Sequence, residues 1–86
     1  MPNPFSGRTN FRFTITRPGH VELRVYDVQG RAVRALDAGD RSAGTHELPW
    51  LGRDEHGQAV ASGLYFYRLF LDGEAQGATR KMSLIK

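Results

Sequence analysis

The run Gly63-Leu64-Tyr65-Phe66-Tyr67-Arg68-Leu69-Phe70-Leu71 constrains this chain more than any other stretch. It is the longest apolar run, opened by Ser62-Gly63 and closed by Asp72-Gly73. Aromatic-rich segments favour a pleated backbone, and one this short reads as a strand. Alternation puts Tyr65, Tyr67 and Leu69 on one face and Leu64, Phe66 and Phe70 on the other. Apolar side chains on both faces predict a central strand, with the Tyr65, Tyr67, Leu69 face turned to the core. Phe66 and Phe70 flank Arg68, so only part of the other face is left to water. A chain built around such a strand is predicted to be a small β-sandwich.

With 86 residues, the chain is one domain near the lower size limit for independent folding. Its extent, 1–86, is expected to be a single all-β domain, monomeric and without a cofactor. Cysteine is absent, so neither a disulfide nor a thiolate metal site is available. The apolar runs fall far short of the roughly 20 residues that span a bilayer, so membrane insertion is not expected. Met1-Pro2-Asn3-Pro4 lacks the basic and apolar segments of a signal peptide, which places any export signal upstream. The 12 cations exceed the 9 acids by three, but the arginines are scattered among acids rather than massed on one face. That pattern describes solvated strand faces and argues against nucleic acid as a partner.

Taken in order, Asn3-Pro4-Phe5-Ser6-Gly7 is a lead-in turn, with Phe5 placed to anchor it to the sandwich edge. Phe11, Phe13 and Ile15 alternate with Arg12, Thr14 and Thr16, and Val21, Leu23 and Val25 alternate with Glu22, Arg24 and Tyr26. The two strands are separated by the turn Arg17-Pro18-Gly19, and Asp27-Val28-Gln29-Gly30 signals a tight hairpin. Arg31 to Leu36 returns as a weaker strand, too short and too Gly-bounded to nucleate a helix alone. Asp37 to Gly44 is expected to be a polar loop. In the next strand His46, Leu48 and Trp50 share a face, and Pro49 suits an edge. The longest loop follows, Leu51 to Ser62, with Gly52 and Gly57 as turn points. Asp72-Gly73-Glu74 turns the chain into a last strand from about Gln76 to Ile85, with Met82 and Leu84 inward. Six or seven short strands at this spacing predict an all-β, Ig-like or fibronectin III-like sandwich of about seven antiparallel strands.

Catalysis finds little support. No serine lies in a G-x-S-x-G elbow, and His20, His46 and His56 are spread over separate segments. His46 reads as a packed side chain on its strand's apolar face. The loop Arg53-Asp54-Glu55-His56-Gly57-Gln58 offers oxygens to calcium, but an Asx-turn built on Asp54 explains it better. Trp50 and the tyrosines suit a sugar platform, although a Trp buried between two sheets is the simpler reading. At the tail, Ala78 to Lys86 reads as a strand that nearly reaches the last residue, as if the parent chain also ended there. Such an edge, tipped by Lys81 and Lys86, either presents itself to a partner or guards against aggregation.

Jointly, several of these segments resemble a known family. They are Asn3-Pro4-Phe5, the hairpin Val25-Tyr26-Asp27-Val28-Gln29-Gly30-Arg31, and Gly44-Thr45-His46 ahead of Trp50. Gly52-Arg53-Asp54, Gly57 and the strand from Val60 to Leu69 complete the pattern. It is similar to the C-terminal Ig-like domains of bacterial secreted proteins, both type IX secretion (type A) sorting domains and the Ig-like domain of the flagellar hook-capping protein. Leu51 departs from the Asp or Asn that the family more often places after the Trp. The resemblance implies a non-enzymatic module at the secreted or cell-surface end of a larger protein. For sorting-domain members it implies recognition of the last strands by secretion machinery, here Arg80, Lys81, Met82, Leu84, Ile85 and Lys86. The expected function is therefore targeting for secretion and outer-membrane sorting. The alternative is a structural or adhesive module for packing against a neighbouring domain, for assembly or for glycan binding; the residues do not separate sorting from hook-cap relatives.

Overall fold

A computed structural model describes residues 9–85. Six antiparallel strands follow in order: β1 (Thr9–Ile15), β2 (Gly19–Tyr26), β3 (Ala32–Arg41), β4 (Gly44–Trp50), β5 (Gly63–Leu71) and β6 (Glu74–Leu84). They form a two-stranded sheet, β1-β4, and a four-stranded sheet in the order β3-β2-β5-β6. The fold class matches the expected sandwich, with six strands among the described residues where about seven were expected. The lead-in turn around Asn3 to Gly7, with Phe5, lies outside the described residues.

The core is built by the alternation read from the sequence. Phe11, Phe13 and Ile15 of β1 point inward against Val21, Leu23 and Val25 of β2, the last three fully buried. One cluster gathers Phe11, Leu23, Val25, Leu36, Trp50, Tyr65 and Leu84, with Tyr67 and Met82 packed against it. A second gathers Phe13, Ile15, Val21, Ala38 and Leu71, with Leu69 alongside. Strand β5 is interior to its sheet, and Tyr65, Tyr67 and Leu69 are its inward residues. Phe11 meets Tyr67 with ring centroids 4.8 Å apart, and Trp50 meets Tyr65 edge-on at 6.0 Å, geometries that aromatic quadrupoles favour.

The expected loop from Asp37 to Gly44 is instead mostly strand, since β3 continues to Arg41. A bulge makes this possible. Val21 pairs with Gly39 and Glu22 with Asp37, so Ala38 is the extra residue and drops into the core. Gly39, at φ +74°, supplies the left-handed backbone the bulge needs. A polar sequence with one buried alanine carries no periodic signal, which is why the segment reads as a loop.

Two turns at one end of the sandwich are tied together. Asp72 and Gly73 both have positive φ, 50° and 83°, as a tight hairpin between β5 and β6 requires. The Asp72 carboxylate accepts from the His20 amide at 2.9 Å and from Arg17 Nη1 at 2.9 Å, fastening the β1–β2 turn to the β5–β6 turn. Gly19 permits that closeness: a Cβ there would sit 2.7 Å from Asp72 Oδ2 and 2.8 Å from Leu71 Cδ1.

Candidate partner-binding edge and groove

Strand β6 closes one side of the large sheet, and among the described residues no strand pairs with its outer edge. The residues expected to meet a partner divide along it. Leu84 is buried and Met82 half-buried against the first core cluster, so both hold the strand in place. Arg80, Lys81 and Ile85 are exposed, Ile85 by 58%. Lys86 lies outside the described residues. Among the described residues neither Arg80 nor Lys81 meets a carboxylate.

Among the described residues two strands face four, and a groove of about 550 Å³ lies between β1 and β6. Phe13, Leu23, Tyr67 and Leu69 contribute its apolar lining, and Arg12 and Arg80 stand on opposite walls. Gly77, at φ +72°, lines it where β6 bulges away from β5. Single-strand patterns do not show this groove, because it arises from how the strands divide between sheets.

The other polar groups serve the fold. Asp54 Oδ1 accepts from the amides of His56 (2.9 Å) and Gln58 (3.0 Å), the Asx-turn expected of this loop. Those amides, Gln58 foremost, hold the Asp54 carboxyl below its usual pKa. The Arg31 amide and guanidinium do the same for Asp27, and the His20 amide with Arg17 for Asp72. Among the described residues no three acidic, His or Cys groups converge as metal ligands. Trp50 is 2% exposed and donates from Nε1 to the Arg53 carbonyl at 2.9 Å. Its ring faces are therefore closed to a sugar, in keeping with the simpler reading of a Trp buried between two sheets. His46 packs its ring 5.7 Å from Phe13 with Nε2 2.7 Å from the Ser42 carbonyl oxygen. His20 lies between Asp37 (2.8 Å) and Asp40 (3.3 Å) on the surface.

This two-sheet arrangement belongs to the Ig-like β-sandwich class. The sequence model of the FlgD Ig-like domain family matches residues 3–70, and the chain belongs to that family. It is similar in structure to FlgD from P. aeruginosa, with a TM-score of 0.71 and 24% identity over 90% of this chain and 59% of that one. It is also similar to FlgD from Xanthomonas campestris, whose structure is described as giving insights into hook capping essential for flagellar assembly. There the TM-score is 0.72 and the identity 26%, over 91% of this chain and 56% of that one. The chain thus spans less than two thirds of the length of either protein. No curated protein sequence matches it.

The type IX sorting function expected from the resemblance is overturned by this match, and with it secretion machinery as the partner. The error has a physical source. The shared segments are hairpin turns and core strands: Asp27 bonds its own turn, Asp54 its own loop, and Tyr65 packs on Trp50. Residues of that kind specify the sandwich and are silent about its use.

Proposed function

We propose that this chain is a non-catalytic structural module of a longer hook-capping-type protein, acting by protein–protein contact during flagellar assembly. Membership of the FlgD Ig-like family over residues 3–70 is the observation that carries this reading. The module stands as one domain, works outside the cytoplasm, and meets neighbouring subunits or domains through exposed strand edges. Arg80 and Lys81 of β6, with Ile85 just beyond it, are the partner-facing residues of one such edge. Its polar side chains otherwise tie turns together, as the Asp27, Asp54 and Asp72 bonds do, which fits a scaffold better than a reaction centre.

The test is a domain exchange. In Xanthomonas campestris lacking its own FlgD, that protein is supplied with its Ig-like part replaced by this chain. Hook assembly above the level of a domain-less control is expected. A chimera that is exported and folded yet assembles no more hooks than that control would defeat the proposal.

A further inference from the structure

The outward face of the large sheet carries the wrong residues for a surface left to water. An antiparallel sheet covered on one side is expected to be polar on the other. Here β5 turns Leu64, Phe66 and Phe70 outward around Arg68, and β2 sets Tyr26 opposite Phe66 and Arg24 opposite Arg68. Strands β1 and β4 lie against the other face. Leu64 is 40% exposed and the remaining five are half-buried, so the patch is continuous and accessible.

Its charges are unbalanced. Cross-strand neighbours of like charge repel, and Arg24 and Arg68 are such a pair. Arg24 is satisfied: Nε reaches Glu22 Oε1 at 2.5 Å, and the guanidinium lies 3.9 Å above the Phe70 ring. Among the described residues Arg68 has no acid, and its Nε is enclosed without an acceptor. The ladder to β6 also opens beside it. Tyr67 pairs with Arg80 and Leu69 with Gln76, which leaves Gly77, Ala78 and Thr79 facing the single residue Arg68. Bulges of this kind re-aim side chains and are enriched beside functional sites.

We propose that this face is a docking surface for a protein partner that presents a carboxylate ringed by apolar side chains, with the carboxylate seated on Arg68. Charge selects the occupant. A second copy of the same face would set net positive charge against itself, two arginines against the single Glu22, whereas a partner's carboxylate supplies the anion that Arg68 lacks. Aromatic and arginine side chains together are also the residues that interfaces favour. The inference rests on the contact role proposed above only in taking the partner to be a protein, and its test does not require hook assembly.

The probe is the extended heptapeptide acetyl-TFTETFT-amide, whose one-sided Phe, Glu, Phe spacing mirrors Phe66, Arg68 and Phe70. Its isostere acetyl-TFTQTFT-amide is the neutral control. Titrated into the isotope-labelled chain, the acidic peptide is expected to give saturable NMR shifts at Phe66, Arg68 and Phe70. The neutral peptide is expected to bind at least tenfold more weakly. Arg68→Gln removes that preference, and Arg24→Gln must weaken the acidic peptide as well, which keeps the test decisive if Arg68→Gln does not fold. Equal binding of the two peptides overturns the proposal, as do shifts confined to the groove between Arg12 and Arg80, no saturable shift, or self-association through this face in sedimentation.

Discussion

The two faces of β5 have nearly the same composition and opposite fates. Inward, Tyr65 and Leu71 are buried and Tyr67 and Leu69 are half-buried under the β1-β4 sheet. Outward, Leu64, Phe66 and Phe70 have no second layer of strands over them among the described residues. What distinguishes the faces is the neighbour rather than the strand. In β2 the apolar set is one-sided, with Val21, Leu23 and Val25 in and Glu22, Arg24 and Tyr26 out. The register Val21↔Leu71, Leu23↔Leu69, Val25↔Tyr67 transfers that choice to β5. A strand ambiguous alone becomes oriented by pairing with one that is not.

The largest effects should come from the covered face. Trp50→Ala and Leu23→Ala each remove a side chain from the first cluster, at a cost of about 3–5 and 2–5 kcal/mol. Domains are typically stable by about 5–15 kcal/mol, and one this small sits at the low end, so either variant should be partly or wholly unfolded by circular dichroism at 37 °C. On the open face, replacing half-buried Phe66 by Ala should cost only about 1 kcal/mol in urea titration, the centre of the range for point substitutions in general. Equal costs at Leu23 and Phe66 would break the contrast between the faces.

That contrast also explains how much could be read in advance. Strands β1, β2 and β5, the hairpins at Asp27 and Asp72, the Asx-turn at Asp54 and the buried Trp50 all declare themselves through local alternation or turn chemistry. Ala38 did not, because its burial depends on a bulge set by the partner strand. The groove beside Arg12 and the bulge opposite Arg68 were hidden for the same reason: each is a property of pairing between segments distant in sequence. The site expected along β6 was half legible, since alternation correctly turned Met82 and Leu84 inward but could not say what Arg80 and Lys81 meet.

A smaller effect belongs to neither face. Asp27, Asp54 and Asp72 lie at turns, and backbone amides hold each carboxyl below the usual 3.8. The folded state therefore binds fewer protons than the unfolded chain near that value. Stability from these groups is complete above about pH 5 and is lost as pH falls through their depressed pKa values. A thermal-melt series from pH 7 to pH 2 should show Tm falling on the acid side, and Asp72→Asn should flatten that fall while lowering Tm at pH 7. At the alkaline end the sign reverses. Burial raises the Tyr65 hydroxyl above 10.0, so its contribution is present below pH 10 and lost above it, and Tyr65→Phe should remove that loss.

The smallest expected change is the most informative about the open face. If Arg68 served the isolated fold, Arg68→Gln would destabilise it. Among the described residues no carboxylate meets Arg68, its Nε lacks an acceptor, and its cross-strand neighbour is Arg24. Removing the charge should therefore leave stability unchanged or raise it, by about 0.2–1 kcal/mol for a relieved like-charge pair. A double-mutant cycle with Arg24→Gln isolates that term, and the coupling should shrink in 1 M salt, where charges are screened within about 3 Å. Arg24→Gln alone should be destabilising, because it breaks the Glu22 bond and the stack on Phe70. Two adjacent arginines with opposite effects would mark Arg24 as part of the fold and Arg68 as a charge the folded domain carries for something outside itself.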